Sequence, residues 1–237
     1  MSGEEAAENA RHVYCGRRAM KSIKGKHNYK KDREVKSKGI SLNEMSGYYD
    51  ALTPAEKSRL RQKQIELAEI KEGETILEVG CGTGVMSVLA RLKTGNRGKV
   101  HGIDIAEKMI KQARKKAEKL GLDIDFKVAS IDRLPFPDNY FDVVIASMMF
   151  HHLPVIIKEA GLKEIYRVSK GDGRLLLSDF STPGILAAPL MFLLLIWLRS
   201  TRYHLLGKLP ALIRKAGFKN INIARKAAFI KHYLIRK

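Results

Sequence analysis

Glycines stand at positions 80, 82 and 84 in the stretch ILEVGCGTG, and Glu78 lies two residues before the first of them. A turn without side chains at the end of a strand lets backbone close on a ligand, and the free N–H groups of a following helix point at the same place. The spacing narrows the choice of ligand. A pyrophosphate-binding turn reads G-x-G-x-x-G and a phosphate loop reads G-x-x-x-x-G-K-[ST], whereas this turn reads G-x-G-x-G. Glu78 would repel a phosphate and suits a ligand with a positive amino group. Asp104 ends the stretch KVHGID, twenty residues beyond Gly84. That separation suits a carboxylate accepting hydrogen bonds from two ribose hydroxyls. Two plainer readings stand beside these: an ordinary strand–helix turn at the glycines, and Asp104 as a cap for the helix after it. Cys81, at an x position of the turn, reads as a small filler and not as a nucleophile.

Strands and helices must alternate to hold these groups. A helix starts with Thr53 as cap, Pro54 at the first helical position and Glu56 at capping-box spacing, and runs to about Glu69. Strands are expected at 75–79, 99–105, 124–130, 140–147 and 173–180, with helices at 84–93, 106–121 and 155–169 between them. A short helix closing near Gly217 and two final strands complete the chain. Alternation of this kind predicts an α/β fold, a doubly wound and mostly parallel sheet with helices on both faces. Ligands in such folds sit at the carboxyl ends of the strands. Asp142, at the start of its strand, is far from that end and reads as a brace for the sheet.

With these residues in view, ILEVGCGTG resembles the first motif of class I S-adenosylmethionine-dependent methyltransferases. LPFPDNYFDVVIASMMFHHL (134–153) resembles the matching segment of small-molecule members, including ubiquinone/menaquinone C-methyltransferases and phospholipid N-methyltransferases. The resemblance covers about residues 48–180 and implies a Rossmann-like, seven-stranded fold with an antiparallel last strand. It further implies S-adenosyl-L-methionine as cofactor and methyl transfer as the activity. On this resemblance, Glu78 and the backbone of Gly80 face the methionyl part, and Cys81, Gly82 and Gly84 complete the turn around it. Asp104 holds the ribose, Ile105 lies on one adenine face, and Ser130 and Ile131 fall at the adenine edge. Many members have Asp at the position of Ser130, and Asp132 is a candidate substitute. Ser147 ends the fourth strand near the methionyl group.

His151 and His152 follow that strand on the side where an acceptor would approach. Either serves as a base for a phenol or an activated ring carbon, or both simply pack or cap at the start of a helix. No His/Asp cluster has metal-ligand spacing, so no metal is expected. The stretch ILAAPLMFLLLIWL (185–198) has no polar residue, is short for a membrane span and contains Pro189. It reads as a buried cap over the site, an apolar substrate tunnel, or a segment dipping into a bilayer surface.

The charge pattern bears on the same choice. The chain has 237 residues and a formal net charge of +19. Residues 11–38 carry +9 and residues 199–237 carry +11, which leaves the centre near neutral. Basic ends attract anionic lipid or nucleic acid. The expected organisation is a basic N-terminal arm over 1–45 and a methyltransferase domain over 46–237, with an apolar cap segment at 185–205. The expected acceptor is small and hydrophobic or lipid-linked, such as a quinone precursor or a phospholipid-like molecule. An RNA methyltransferase using the basic ends is the alternative. The first 15 residues carry Glu4, Glu5 and Glu8 and no apolar run, so no secretory signal is expected there. The expected location is cytoplasmic, with peripheral contact to anionic membrane.

Overall fold

The structure is a computed structural model and describes residues 55–181, 207–227 and 230–237. The expected arm at 1–45, the cap at Thr53 and Pro54, and the apolar segment at 185–205 lie outside the described residues.

In chain order the elements are α1 (Ala55–Leu67), β1 (Thr75–Val79), α2 (Val85–Thr94), β2 (Lys99–Asp104), α3 (Glu107–Lys119), β3 (Asp125–Val128), β4 (Phe141–Ser147), a 3₁₀ turn (Phe150–His152), α4 (Val155–Val168), β5 (Ser169–Phe180), α5 (Leu209–Lys215), β6 (Asn220–Ala227) and β7 (Ile230–Arg236). The strands form one sheet in the order β3-β2-β1-β4-β5-β7-β6. All neighbouring pairs from β3 to β5 are parallel, and β7 runs antiparallel to both β5 and β6. This is the doubly wound sheet with an antiparallel last strand that the alternation and the resemblance led us to expect. The strand order reverses between β1 and β4, so the glycine turn after β1 sits at the switch point.

Two apolar layers sandwich the sheet. On one face Leu77, Val79, Val144, Leu175 and Leu177 pack with α4 and α5 through Leu162, Ile165, Leu212 and Ile213. On the other, Ile76, Val143, Ile145 and Leu176 pack with α1 and α2 through Ile65, Ala68, Met86 and Ala90. Strands buried on both faces read as near-continuous apolar runs, which is how β1, β4 and β5 appear in the sequence.

The end of the sheet remote from the glycine turn is fastened by charge. Asp142 accepts the Thr75 N–H at 2.9 Å and the Lys170 ammonium at 2.7 Å, tying β4 to β1 and β5 as a brace. Arg174, nearly fully buried, donates to the Ala68 carbonyl at 2.9 Å and the Glu69 carbonyl at 2.5 Å, and pairs with both Glu74 carboxylate oxygens. It therefore satisfies carbonyls just past the end of α1 and fixes that helix to β5. β5 begins four residues earlier than the expected 173, because Ser169 pairs with Phe141 ahead of an irregularity in the β4–β5 ladder. β3 is shorter than the expected 124–130, since the chain turns away after Val128.

Candidate active site

The turn after β1 is built from left-handed backbone. Gly84 has φ of 77°, and a Cβ there would stand 2.8 Å from both Ala113 and Phe126, so α2 and α3 can approach only over a glycine. Gly82 differs: its φ is 53°, yet a Cβ would meet nothing within 4 Å. Its missing side chain leaves open space in front of the turn, the cradle a ligand would fill. Cys81 turns its side chain away, among Ile110, Ala113, Ala117 and Phe126, where burial pushes the thiol well above its ordinary range. A thiol held protonated is a poor nucleophile, in keeping with a filler role.

Two carboxyl groups flank the cradle. Glu78 is buried on β1 and accepts the hydroxyl of Ser87 from α2. Burial raises its carboxyl to about 8, against the opposing effects of Ser87 and the positive charge of Arg61. Asp104, half-buried at the end of β2, accepts the Gly82 N–H at 2.9 Å and the Ala106 N–H at 2.8 Å. Its titration is raised by burial, against these backbone donors. Asp104 thus holds backbone from two segments. It supports the chain entering α3, although the helix cap itself is Ala106, and it also locks the glycine turn.

A cavity of about 510 Å³ opens here, lined by Glu78, Gly80, Gly82, Ser147, His151 and His152 among others. Helix α1 contributes Leu60, Arg61 and Gln64, which sequence reasoning missed. Gln64 is buried and accepts the Ser147 hydroxyl at 3.0 Å, while its Nε2 has no partner among the described residues. Arg61 and Gln64 are three apart on one helix, so they share a face, and that spacing was the available signal. Met148, next along, adopts a left-handed φ of 53° with its N–H held by the Ser178 carbonyl. This bend turns the chain after β4 and sets the 3₁₀ turn over the cavity.

The expected adenine-side residues lie beside this cavity. Ile105 is half-buried beside Asp104, and the Ser130 hydroxyl bonds to Asp132. The Ile131 side chain is committed to the core, where it packs so closely on α4 that Gly161 has no room for a Cβ. None of Asp104, Ile105, Ser130 and Ile131 lines the cavity; they lie on the β2–β3 side of the glycine turn.

At the opposite end, His151 is buried and clamped. Its backbone N–H reaches Asp179 Oδ2 at 3.0 Å, and its Nδ1 lies 2.7 Å from Oδ1. Its ring stacks at a tilt on His152, with centroids 3.9 Å apart, and meets the edge of Phe180. Burial, and next the neighbouring His151, lower the titration of His152. Asp179 was missed in the sequence, although an acid closing the apolar strand LLLSDF at its carboxyl end was a readable sign.

Residues 76–173 match the family model described as a methyltransferase domain. Over 121 residues the chain is 36% identical to the ubiquinone/menaquinone biosynthesis C-methyltransferase of Escherichia fergusonii, covering 50% of this chain and 47% of that one. The same protein of Escherichia coli O1:K1 matches over the same length at the same identity. The chain therefore spans about half the length of the curated relatives it matches. Among solved structures, an S-adenosylmethionine-dependent methyltransferase from Aquifex aeolicus aligns with a TM-score of 0.63 and 23% identity, covering 81% of this chain and 97% of that one. A second, described as a putative methyltransferase of the same cofactor class from Methanococcus maripaludis, aligns at 0.63 with 15% identity over 90% and 97% of the two chains. The fold is that of the class I S-adenosylmethionine-dependent methyltransferases. Residues 76–173 are similar to a methyltransferase domain, and S-adenosylmethionine is the cofactor named for the Aquifex aeolicus neighbour. The groups present fit such a molecule. An open cradle at Gly82, the Glu78 and Asp104 carboxyls on either side, and a Gln64 Nε2 without a partner among the described residues suit a nucleoside carrying an amino acid.

Proposed function

We propose that this protein transfers a methyl group from S-adenosylmethionine to a small, apolar acceptor with a quinol-type ring, a reading supported by the ubiquinone/menaquinone biosynthesis named for its Escherichia relatives. One observation carries the reading. A single cavity joins the glycine cradle and Glu78 to an end formed by His151, His152, Phe180 and Ile230. A cofactor seated at the first end would present its reactive group toward the second, where aromatic and apolar walls suit a ring.

The cofactor supplies a methyl group on a sulfonium centre, ready for in-line displacement. The chain's own residues bind, orient and desolvate. Ionised Glu78 would hold the ammonium of the amino acid portion, and Arg61 with Gln64 would face its carboxylate. Asp104 would take the ribose hydroxyls while its backbone partners hold it still. The walls of Leu60, Met86 and Phe180 exclude water from the line of transfer. Asp132, which accepts the Ser130 hydroxyl, is the candidate to replace the acid usual at Ser130 for the adenine edge.

The test uses cofactor labelled in its methyl group, a reduced prenylated dihydroxynaphthalene and, separately, total cell lipid. Label moving to the quinol fraction supports the reading. Label moving only to amine-bearing lipid, or to RNA in a parallel incubation, would redirect it.

A further inference from the structure

We propose that His151 is the base that takes a proton from the acceptor, and that Asp179 positions it, so that the acceptor must be a group that loses a proton to react. This rests on the proposed methyl transfer and adds to it the chemical class of the nucleophile. Asp179 lies fully buried at the carboxyl end of β5 and is surrounded by donors. The His151 N–H is on Oδ2 at 3.0 Å, and the His151 ring and the Phe180 N–H are both on Oδ1 at 2.7 Å. A carboxylate only accepts. The proton of a neutral His151 ring therefore sits on Nδ1, leaving the Nε2 lone pair for the cavity that His151 lines. A buried carboxylate is costly unless paired and hydrogen-bonded, and here the pairing also orients an imidazole that lines the cavity.

Among the described residues, titratable groups face this pair from α4 and from the 3₁₀ turn. Lys158 of α4 is fully buried, its titration lowered to about 8 by burial and held up in part by Asp179. His152 stacks on His151 from the same 3₁₀ turn, and Asp179 is the acid from β5. Around His151 the pair Asp179 and Lys158 balances charge, and burial with the neighbouring His151 lowers the titration of His152. An imidazolium formed at His151 would therefore face a carboxylate at contact distance, which stabilises it.

The O–H bond of a ring hydroxyl breaks and its proton joins Nε2 of His151. The electron pair left on the ring oxygen, or delivered through the ring to the adjacent carbon, forms the new bond to the methyl carbon. The C–S pair stays on sulfur, which leaves as a neutral thioether. For a ring carbon, the proton displaced from that carbon goes to solvent as aromaticity returns. His151 then gives its own proton back to the oxygen, or to solvent in the O-methyl case. A tertiary amine would need none of this, and the dyad would be idle.

Two measurements test the assignment. In ¹⁵N-histidine NMR of the wild-type protein, the His151 ring should show a protonated Nδ1 and a free Nε2, and Asp179→Asn should abolish that preference. A ring protonated at Nε2 overturns the proposal without any acceptor. Single-turnover transfer to the reduced prenylated dihydroxynaphthalene forms the second arm. His151→Asn should slow it about a hundredfold or more, with affinity for S-adenosylhomocysteine within about threefold of wild type. Asp179→Asn should slow it less and move the acid limb of the pH profile to lower pH, since the imidazolium loses its partner. Unchanged rates in His151→Asn, or an unmoved profile in a folded Asp179→Asn, overturn the dyad. If the wild type binds S-adenosylhomocysteine but leaves this quinol unmethylated, the acceptor assignment fails, and the NMR arm still decides the dyad.

Discussion

Burying the Glu78 carboxyl beneath the glycine turn places a proton there at neutral pH, because its titration is raised to about 8. A group raised in the fold from 4.5 to about 8 stabilises the fold below pH 4.5, and that stabilisation is lost as pH rises toward 8. Glu78→Gln should therefore stabilise the ligand-free protein, with an advantage that grows between pH 4.5 and 8 by up to about 1.4 kcal/mol per unit. Chemical denaturation of both proteins at several pH values checks this. The same substitution should weaken S-adenosylhomocysteine by about 1.5–3 kcal/mol, the worth of a hydrogen bond to a charged group. In the wild type, affinity should fall as pH is lowered below 8, with a proton released on binding. Calorimetry in buffers of different ionisation enthalpy reads that proton directly. The glycines separate fold from site in a similar way. Gly84→Ala sets a Cβ against Ala113 and Phe126 at 2.8 Å and should cost about 2–4 kcal/mol of stability, from overpacking and left-handed strain. Gly82→Ala meets open space and should cost only the strain, about 1–2 kcal/mol, yet lose most cofactor affinity by filling the cradle.

Among the elements, α1 connects stability to the site. Its carboxyl end is held by buried Arg174, and its Arg61 and Gln64 line the cavity. Arg174→Met removes the guanidinium and leaves Glu74 and two carbonyls without it. The expected loss is about 3–5 kcal/mol, with weaker cofactor binding as α1 loosens. Asp142→Asn unties the same end of the sheet but does not touch α1, and should destabilise while leaving cofactor affinity unchanged. Thermal melts with and without S-adenosylhomocysteine distinguish the two. This coupling also explains what was legible in the sequence. β1, β4 and β5 announce themselves as apolar runs, and the glycine spacing with Glu78 and Asp104 marks one half of the site, since all of it lies within 27 residues of chain. The other half is assembled across distance. Gln64 meets Ser147 over 83 positions and His151 meets Asp179 over 28, and no local pattern encodes such pairs. His151 and His152 were visible as residue types, but which one is clamped depends on β5. The Ile131 side chain fills the space above Gly161, a contact that its place in the sequence does not reveal.

At the scale of the whole molecule, charge is arranged apart from the site. The sheet ends at β6, an edge strand whose side chains from Asn222 to Lys226 are exposed, with Arg225 and Lys226 beside an Ile223 that is 58% exposed. Charged residues on an edge discourage pairing with another sheet. A basic edge with an exposed aliphatic residue also suits an anionic lipid surface, where Lys and Arg contribute about 1 kcal/mol each. The carboxyl-terminal +11 includes these residues together with Lys219, Lys231, Arg236 and Lys237. An apolar acceptor of the proposed kind partitions into membrane, so a protein that meets it there gains access without extracting it from water. Among the described residues no helix is long and apolar enough to cross a bilayer, and the proposed contact is one at the surface. The protein should co-sediment with vesicles containing anionic lipid, bind neutral vesicles at least tenfold more weakly, and detach as salt is raised, because the Debye length shortens from about 10 Å at 0.1 M to about 3 Å at 1 M. Replacing Lys219, Arg225 and Lys226 with Gln should weaken binding without altering affinity for S-adenosylhomocysteine, since none of the three lines the cavity. Equal binding to neutral and anionic vesicles would show that charge is not what brings the protein to the bilayer.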